Sequence, residues 1–380
     1  MRGIVELKEK KLGPKLILWS FIIICYFWFI WILSGISIEE ENHENRNLAT
    51  RPQFGINNYL SFSNDFTAYV DDNMPFRSLL IELNNRIDFF VFDTSCSKHV
   101  VKGKDGWLFY SSTVADIQGD NLYTPDELEK IKNDVLITKE WFDSQGIEFV
   151  IFIGPNKNTI YSDYMPSFYR ISDGETRVSQ MVNYLRDNTD VKIIFPVDEI
   201  LTARNEYSEY QYYLKLDTHW NYLGGYFGSV PLLNQLNAEV TDLSDLTIEE
   251  VNEPVFLWHG YDEADLLGLS DVLNEDVNYR ISGGLIDSIV YEGDARNNLS
   301  DFEGVVRTVS DSDDFRKVFF VRDSFGECMT PYLASSFHEV YSVHDDSFTK
   351  NMIDEEQPDI FIYESVERAD FLGAFNYNNW

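Results

Sequence analysis

Ser324, His219 and Asp217 are residue types that together can activate a hydroxyl for attack on an acyl carbon. Arg322-Asp323-Ser324-Phe325 directly follows Lys317 to Val321, an apolar run with the pattern of a strand buried on both faces. A serine at a sharp strand-to-helix turn exposes its hydroxyl and sits beside helix N-terminal amides that can hold an oxyanion. It is a poor nucleophile until a base takes its proton. Asp217-Thr218-His219-Trp220, at the end of the apolar stretch Tyr212 to Leu216, offers that base. Asp217 can accept from one ring nitrogen of His219 and leave the other free for Ser324. Each motif also has a plain reading: Asp323 or Ser324 as a helix cap, Asp217 as a turn residue.

A third polar cluster, Gly154-Pro155-Asn156-Lys157, follows the apolar run Ile147 to Ile153. In open α/β sheets the ligand crevice lies outside the carboxyl ends of the strands, so all three clusters are expected on one sheet edge. Asn156, Lys157, Asp323, Arg322 and Tyr161 are the candidates for substrate or oxyanion contacts there. Asn156 could donate its side-chain amide, Lys157 and Tyr161 could line the cleft, and Arg322 could pair with Asp323 or with sheet-edge carboxylates. His99, His259, His338 and His344 are expected to be structural or solvated. Cys328, one helical turn after Ser324, is expected to pack in the core, since nothing cationic flanks it. Three cysteines, one of them in the apolar N-terminal run, are too few for a disulfide framework. No C-x-x-C or H-E-x-x-H pattern occurs, and neither metal nor cofactor is expected.

The elements that position these residues alternate. Thr124-Pro125-Asp126-Glu127 is a helix start with an N-cap, a Pro at the first position and a Glu three after the cap. That helix runs to about Gln145. Further helices are expected over about 175–187, 222–236 (interrupted by Gly224 and Gly225) and 326–337. Strands are expected at 147–153, 191–195, 317–321, 339–343 and 359–363, with a strand, Gly turn and strand across Val100 to Phe109. The pattern predicts an α/β fold: a doubly wound, mostly parallel sheet with helices on both faces. Residues 56 to about 92 read as helical, and about 240–310, acidic and weakly periodic, as an insertion or covering loops.

Leu16 to Ile36 is a nearly unbroken apolar run, close to the roughly 20 residues that cross a bilayer as a helix. Arg2, Lys8, Lys10, Lys11 and Lys15 precede it, and an acidic stretch, Glu39 to Glu44, follows. The positive flank should stay inside. The expected order is a basic cytoplasmic tail (1–15), a transmembrane signal-anchor (16–36), a linker (37–55) and an extracytoplasmic domain (56–380). The 380 residues carry a net charge of −34, a surface that repels nucleic acid.

Beyond the chemistry, the motifs form an ordered set: Glu44 to Ala49 with Pro52, Pro75-Phe76-Arg77, Gly103 to Phe109, Pro155-Asn156-Lys157, Asp217-Thr218-His219-Trp220, Asp323-Ser324-Phe325 and Glu364 to Arg368. In this order they resemble the SGNH-hydrolase-like family of AlgX- and AlgJ-type polysaccharide O-acetyltransferases, related to proteins named for an Asp-His-His-Trp motif. The resemblance covers about residues 44–370. It implies an SGNH-like fold, with Ser324 as the acetylated nucleophile, His219 as general base and Asp217 as its orienter. It further implies a polysaccharide acceptor and a membrane-bound O-acyltransferase partner that exports the acetyl group. Two positions depart from the family pattern: Arg322 stands where a Gly is usual, and Thr218 replaces the middle His. An acetyl esterase with the same triad and a non-catalytic glycan-binding or assembly protein remain as alternatives.

Overall fold

The computed structural model describes residues 15–23, 26–27, 48–55, 60–74, 76–255, 260–292 and 304–380. Two compact units divide the chain, Met1–Ile87 and Asp88–Trp380. Among the described residues no helix is long and apolar enough to cross a membrane. Residues 15–23 are helical, but 24–25 and 28–36, the greater part of the expected 16–36 span, lie outside the described residues. The stretch expected as helical after residue 56 contains two helices, Phe62–Asp72 and Arg77–Phe90.

The second unit is built on the expected alternation. Its strands are β1 (Val100–Lys102), β2 (Leu108–Tyr110), β3 (Glu148–Gly154), β4 (Lys192–Ile194), β5 (Thr247–Val251), β6 (Asn278–Ser282), β7 (Val290–Tyr291), β8 (Val305–Val309), β9 (Lys317–Arg322), β10 (Glu339–His344) and β11 (Ile360–Val366). One seven-stranded sheet has the order β4-β3-β11-β9-β10-β8-β7. The first five strands of that order are mutually parallel, while β8 runs antiparallel to β10 and β7 antiparallel to β8. The sheet is therefore mixed rather than uniformly parallel. The antiparallel edge comes from the 240–310 stretch, which was expected as covering loops; it also supplies the separate antiparallel pair β5–β6. Its strands are only two to five residues long, too short to leave a clear periodic signal.

The parallel strands read as continuous apolar runs because both faces are covered. Val150, Phe152, Val318, Phe320, Ile360 and Ile362 point into one core, which helix Tyr222–Gln235 closes with Leu223, Leu232 and Leu233. Phe149, Ile151, Ile153, Phe319, Val321 and Phe361 point into the other, closed by helices Pro125–Gln145 and Arg177–Asn188. Helix Pro125–Gln145 begins as its sequence dictates: the Thr124 hydroxyl accepts from the Glu127 amide, and the Glu127 side chain returns to the Thr124 amide. It stops at Gly146, whose φ of 74° is left-handed.

β11 lies between β3 and β9, and the chain leaves all three at the same end. The loops after Gly154, Arg322 and Val366 therefore meet over the carboxyl end of β11. The winding of the sheet reverses there, which is where a doubly wound fold opens a crevice.

Candidate active site

Ser324 leaves β9 in a helical conformation (φ −63°, ψ −25°) and opens a short 3-10 turn, Phe325–Cys328, ahead of helix Thr330–Ser336. The turn is tied on both sides. Asp323 Oδ1 accepts from the Phe325 amide at 2.7 Å, and Oδ2 accepts from the Val366 amide at 2.7 Å. The Asp323 amide in turn donates to Glu364 Oε2 at 2.9 Å. Asp323 thus ties the serine turn to β11, and both of its carboxylate oxygens are used in that role. Arg322 is buried. Its Nε donates to Ser342 Oγ at 3.0 Å, and a terminal nitrogen lies 2.7 Å from Glu327 Oε2. The structure thus directs Arg322 into the sheet rather than into an oxyanion or substrate pocket: a charge this deep needs a buried counter-charge, and Glu327 supplies it.

His219 does not follow a sheet strand. Residues 212–221 form a buried loop with an isolated antiparallel bridge between Tyr213 and Trp220, in which the Leu214 amide donates to the His219 carbonyl at 3.1 Å. Trp220, fully buried, binds this loop to the serine turn: its indole Nε1 donates to the Phe325 carbonyl at 2.8 Å. The glycines that seemed to interrupt helix Tyr222–Gln235 are what allow the approach. A Cβ on Gly224 would sit 2.2 Å from the Tyr212 carbonyl oxygen, and one on Gly225 2.3 Å from that of Cys328. Cys328 is buried and its thiol pushed well up by desolvation, so it is an inert packing group.

The three residues form one hydrogen-bonded line. His219 Nε2 lies 2.8 Å from Ser324 Oγ, and Nδ1 lies 2.6 Å from Asp217 Oδ1. Asp217 is itself fixed by backbone donors, with Oδ1 accepting from the His219 amide at 2.9 Å and Oδ2 from the Asp262 amide at 3.0 Å. Burial opposes a charge on His219. The Asp217 carboxylate, the hydrogen bond to it and the nearby Asp262 outweigh that, so the imidazole is raised above its ordinary pKa. Burial likewise opposes the charge on Asp217, but His219 and the backbone donors hold it below the ordinary carboxylate range. This polarity suits a base whose protonated form must be stabilised during attack.

Asp262 closes the line from behind. Its Oδ1 accepts from the Thr218 amide at 2.7 Å, and Oδ2 accepts from the Thr218 hydroxyl at 2.5 Å and lies 3.8 Å from His219 Nδ1. Asp217, His219 and Asp262 are close enough to share a cation. Asp217 and His219, however, spend their facing atoms on hydrogen bonds to one another.

Asn156 follows β3. It is 1% exposed, and neither its Nδ2 nor its Oδ1 has a hydrogen-bond partner. An orphaned buried amide is costly, and such groups are ordinarily met by a ligand or an ordered water. Its backbone amide donates to Glu367 Oε2 at 2.7 Å, an oxygen that also accepts from the Thr159 hydroxyl at 2.7 Å. Lys157 does not line the cleft. Its ammonium is buried, paired with Glu263, and donates to the carbonyls of Leu214, Lys215 and Asp217 at 3.1, 3.2 and 2.7 Å. Tyr161 is buried: it stacks on Trp107 with centroids 4.1 Å apart, its hydroxyl accepts from the Tyr212 amide at 3.0 Å, and it borders a cavity beside the 212–221 loop.

Residues 100–264 match the family model of the SGNH hydrolase-like domain of the acetyltransferase AlgX. The AlgX-type resemblance read from the motifs therefore holds. The match takes in Asn156, Asp217, His219 and Asp262 and stops before Ser324. Among solved structures, a DHHW family protein from Eubacterium siraeum is 17% identical, over 73% of this chain and 94% of that one, at a TM-score of 0.52. PatB1 of Bacillus cereus, solved with a sulfonyl adduct, is 15% identical over 73% of this chain and 96% of its own, also at 0.52. These likenesses establish the SGNH-like α/β fold. No curated protein matches the chain in sequence.

Sequence reasoning missed Asp262, Glu263 and Glu367. The first two lie in the acidic stretch that gave no periodic signal, where one carboxylate looks like the next. Glu367 stood in view, just past the last strand and within the motif Glu364 to Arg368, but had been given no role.

Proposed function

We propose that this chain transfers an acetyl group to hydroxyls of a cell-surface or exported polysaccharide through an acetyl-Ser324 intermediate. The observation that carries the reading is the unbroken line from Ser324 Oγ through His219 to Asp217, at 2.8 and 2.6 Å, with the orphaned amide of Asn156 on the loop after β3 at the same end of the sheet. Ser324 Oγ attacks the carbonyl carbon of an acetyl donor as His219 Nε2 takes its proton. The tetrahedral oxyanion is held by the Asn156 side-chain amide and the Ser324 backbone amide. Collapse expels the donor's leaving group, which receives the proton from His219. A sugar hydroxyl then gives its proton to His219 and attacks the acetyl carbon, and as the acetyl–Ser324 bond breaks His219 returns that proton to Ser324 Oγ.

The name of the matched domain, an acetyltransferase, supports acyl transfer as the reaction class. The apolar run 16–36 with its basic flank supports a single-pass anchor with the catalytic unit outside the cytoplasm. The donor there would come from a membrane-bound O-acyltransferase, the partner implied by the resemblance. The test is to incubate the full chain with p-nitrophenyl acetate, with and without polysaccharide, and map the adduct by mass spectrometry. Acetyl on Ser324 that passes to glycan supports transfer. Acetyl that passes only to water makes the chain an esterase, and no adduct on Ser324 refutes the nucleophile. A reporter fused after residue 40 should be active only outside the cytoplasm.

A further inference from the structure

A cavity of about 550 Å³ opens beside the loop that carries Asp217 and His219, and the triad makes no use of it. Its size lies within the range of ligand pockets. Gln211 and Lys215 of that loop form one wall, so the segment that orients the catalytic base also borders the cavity. The apolar part of the lining is aromatic. Trp107 stacks on Tyr161 and lies 5.1 Å from the Tyr164 ring, while Tyr210 meets Tyr279 edge-on at 5.6 Å. Tyr164 and Tyr210 remain partly open to solvent, as aromatic groups that stack a ligand must be.

The polar part discriminates by charge. Asp105, Asp163, Glu209 and Glu250 border the cavity against only Arg204 and Lys215. Arg204 is already spent, forked onto both carboxylate oxygens of Asp163 at 2.8 and 2.7 Å. A phosphate or a uronate would enter a site with an excess of negative charge, opposed only by Lys215, whose ammonium lies 5.9 Å from the Trp107 ring centroid. A neutral, hydroxyl-rich ligand meets complementary chemistry instead. Carboxylates and the amide of Asn205 can bond its hydroxyls, and aromatic rings can cover its C–H faces.

We propose that this cavity is a second glycan-binding site, selective for neutral sugar units, that holds the polymer while another stretch of it reaches Ser324. The inference rests on the proposed action on a polysaccharide and adds to it a point of attachment separate from the triad.

The experiment is isothermal titration of the full chain, without acetyl donor, with three probes: a β-1,4-linked glucose tetrasaccharide, an N-acetylglucosamine tetrasaccharide and a tetrasaccharide of uronic acid. At least one neutral probe should bind and the uronate should not. Tyr210→Ala should weaken binding by tenfold or more, and Ser324→Ala should leave it unchanged. Asn205→Ala and Glu209→Ala, both at exposed positions, should each weaken it severalfold and serve if the tyrosine variant fails to fold. Absence of neutral binding, binding that survives all three cavity variants, or equal binding of the uronate overturns the proposal. Acetylation of Ser324 is read in a separate assay. A chain that forms the adduct but binds no neutral probe has lost this site and kept its proposed chemistry; the reverse outcome spares the site and removes the chemistry.

Discussion

Lys157→Met is the substitution whose consequences the structure specifies most fully. The ammonium donates to three carbonyls of the loop that ends in Asp217, at 2.7 to 3.2 Å, and pairs with Glu263 in a fully buried site. Methionine fills nearly the same volume and makes none of these bonds. Burial already pushes Glu263 up to about 8, against the pull of Lys157. At neutral pH the acid can therefore take up a proton rather than remain as an uncompensated charge. The main loss is the three carbonyls, at about 1–3 kcal/mol for each left unsatisfied. Partial relaxation brings the sum toward the ~3–5 kcal/mol found when a buried pair loses one partner. At about 2–4 °C per kcal/mol, the melting temperature should fall by roughly 6–20 °C. Turnover should fall about a hundredfold, because the Asp217 backbone is no longer held and a displacement of about 1 Å is enough for such a loss. Thermal unfolding by circular dichroism and p-nitrophenyl acetate hydrolysis measure the two effects. Glu263→Gln keeps the ammonium on its carbonyls and should cost much less on both. If Lys157→Met melts within about 2 °C of the parent with full turnover, the loop is not held from below. If Glu263→Gln is equally damaging, the ion pair rather than the carbonyl bonds does the holding.

Ser324→Ala and His219→Ala should each abolish acetyl-ester turnover, with the double substitution little worse, because the two act as one unit; additive losses would separate them. The raised His219 sets a pH dependence. The imidazole must be neutral to accept the serine proton, so kcat/KM should fall on the acid side with an apparent pKa above the ordinary value of about 6.5. Asp262→Asn removes a carboxylate that favours the imidazolium, so it should move that limb to lower pH; a limb that stays in place removes Asp262 from the electrostatics of the base. Asn156→Ala should lower turnover on the order of a hundredfold with little change in melting temperature, since its amide has no partner to lose in the resting fold. A drop in stability without a drop in rate would make it a structural residue.

How much of this was legible in the chain depends on what each residue signals locally. The runs Ile147 to Ile153 and Lys317 to Val321 appear as β3 and β9 because a strand covered on both faces must be apolar throughout. The Thr124 cap was legible because capping is a matter of four adjacent residues. Asp217-x-His219 was legible as a pair but not in its setting. A buried loop bridged only between Tyr213 and Trp220 has the same apolar composition as a strand. Lys157 was placed in the cleft but given the wrong direction, and Arg322 was left between Asp323 and sheet-edge carboxylates, because their acid partners, Glu263 and Glu327, are fixed by tertiary contact and not by spacing. Gly224 and Gly225 looked like interruptions of a helix. Their purpose shows only when the carbonyls of Tyr212 and Cys328 are seen where a Cβ would stand.

The carboxylates over the end of β11 explain how three separate loops keep one geometry. Strands that part at the end of a sheet leave backbone amides without ladder partners, and each such amide must be satisfied if it is buried. Here side chains of the neighbouring strand's loop take over. Glu364 accepts from Asp323 N, Asp323 accepts from Val366 N, and Glu367 accepts from Asn156 N and the Thr159 hydroxyl. The bonds cross from β11 to the loop after β9, back to β11, and on to the loop after β3. Burial raises Glu364 well above its ordinary value and Glu367 to about 7, so these acids bear their burial by holding protons more tightly than they would in water. Each tie joins the nucleophile turn or the Asn156 turn to β11 without occupying the Ser324 hydroxyl or the Asn156 amide. A crevice that must keep a serine, a histidine and an unpartnered amide in register is served by this kind of support, in which backbone is fixed by buried acids while the Ser324 hydroxyl is left to His219.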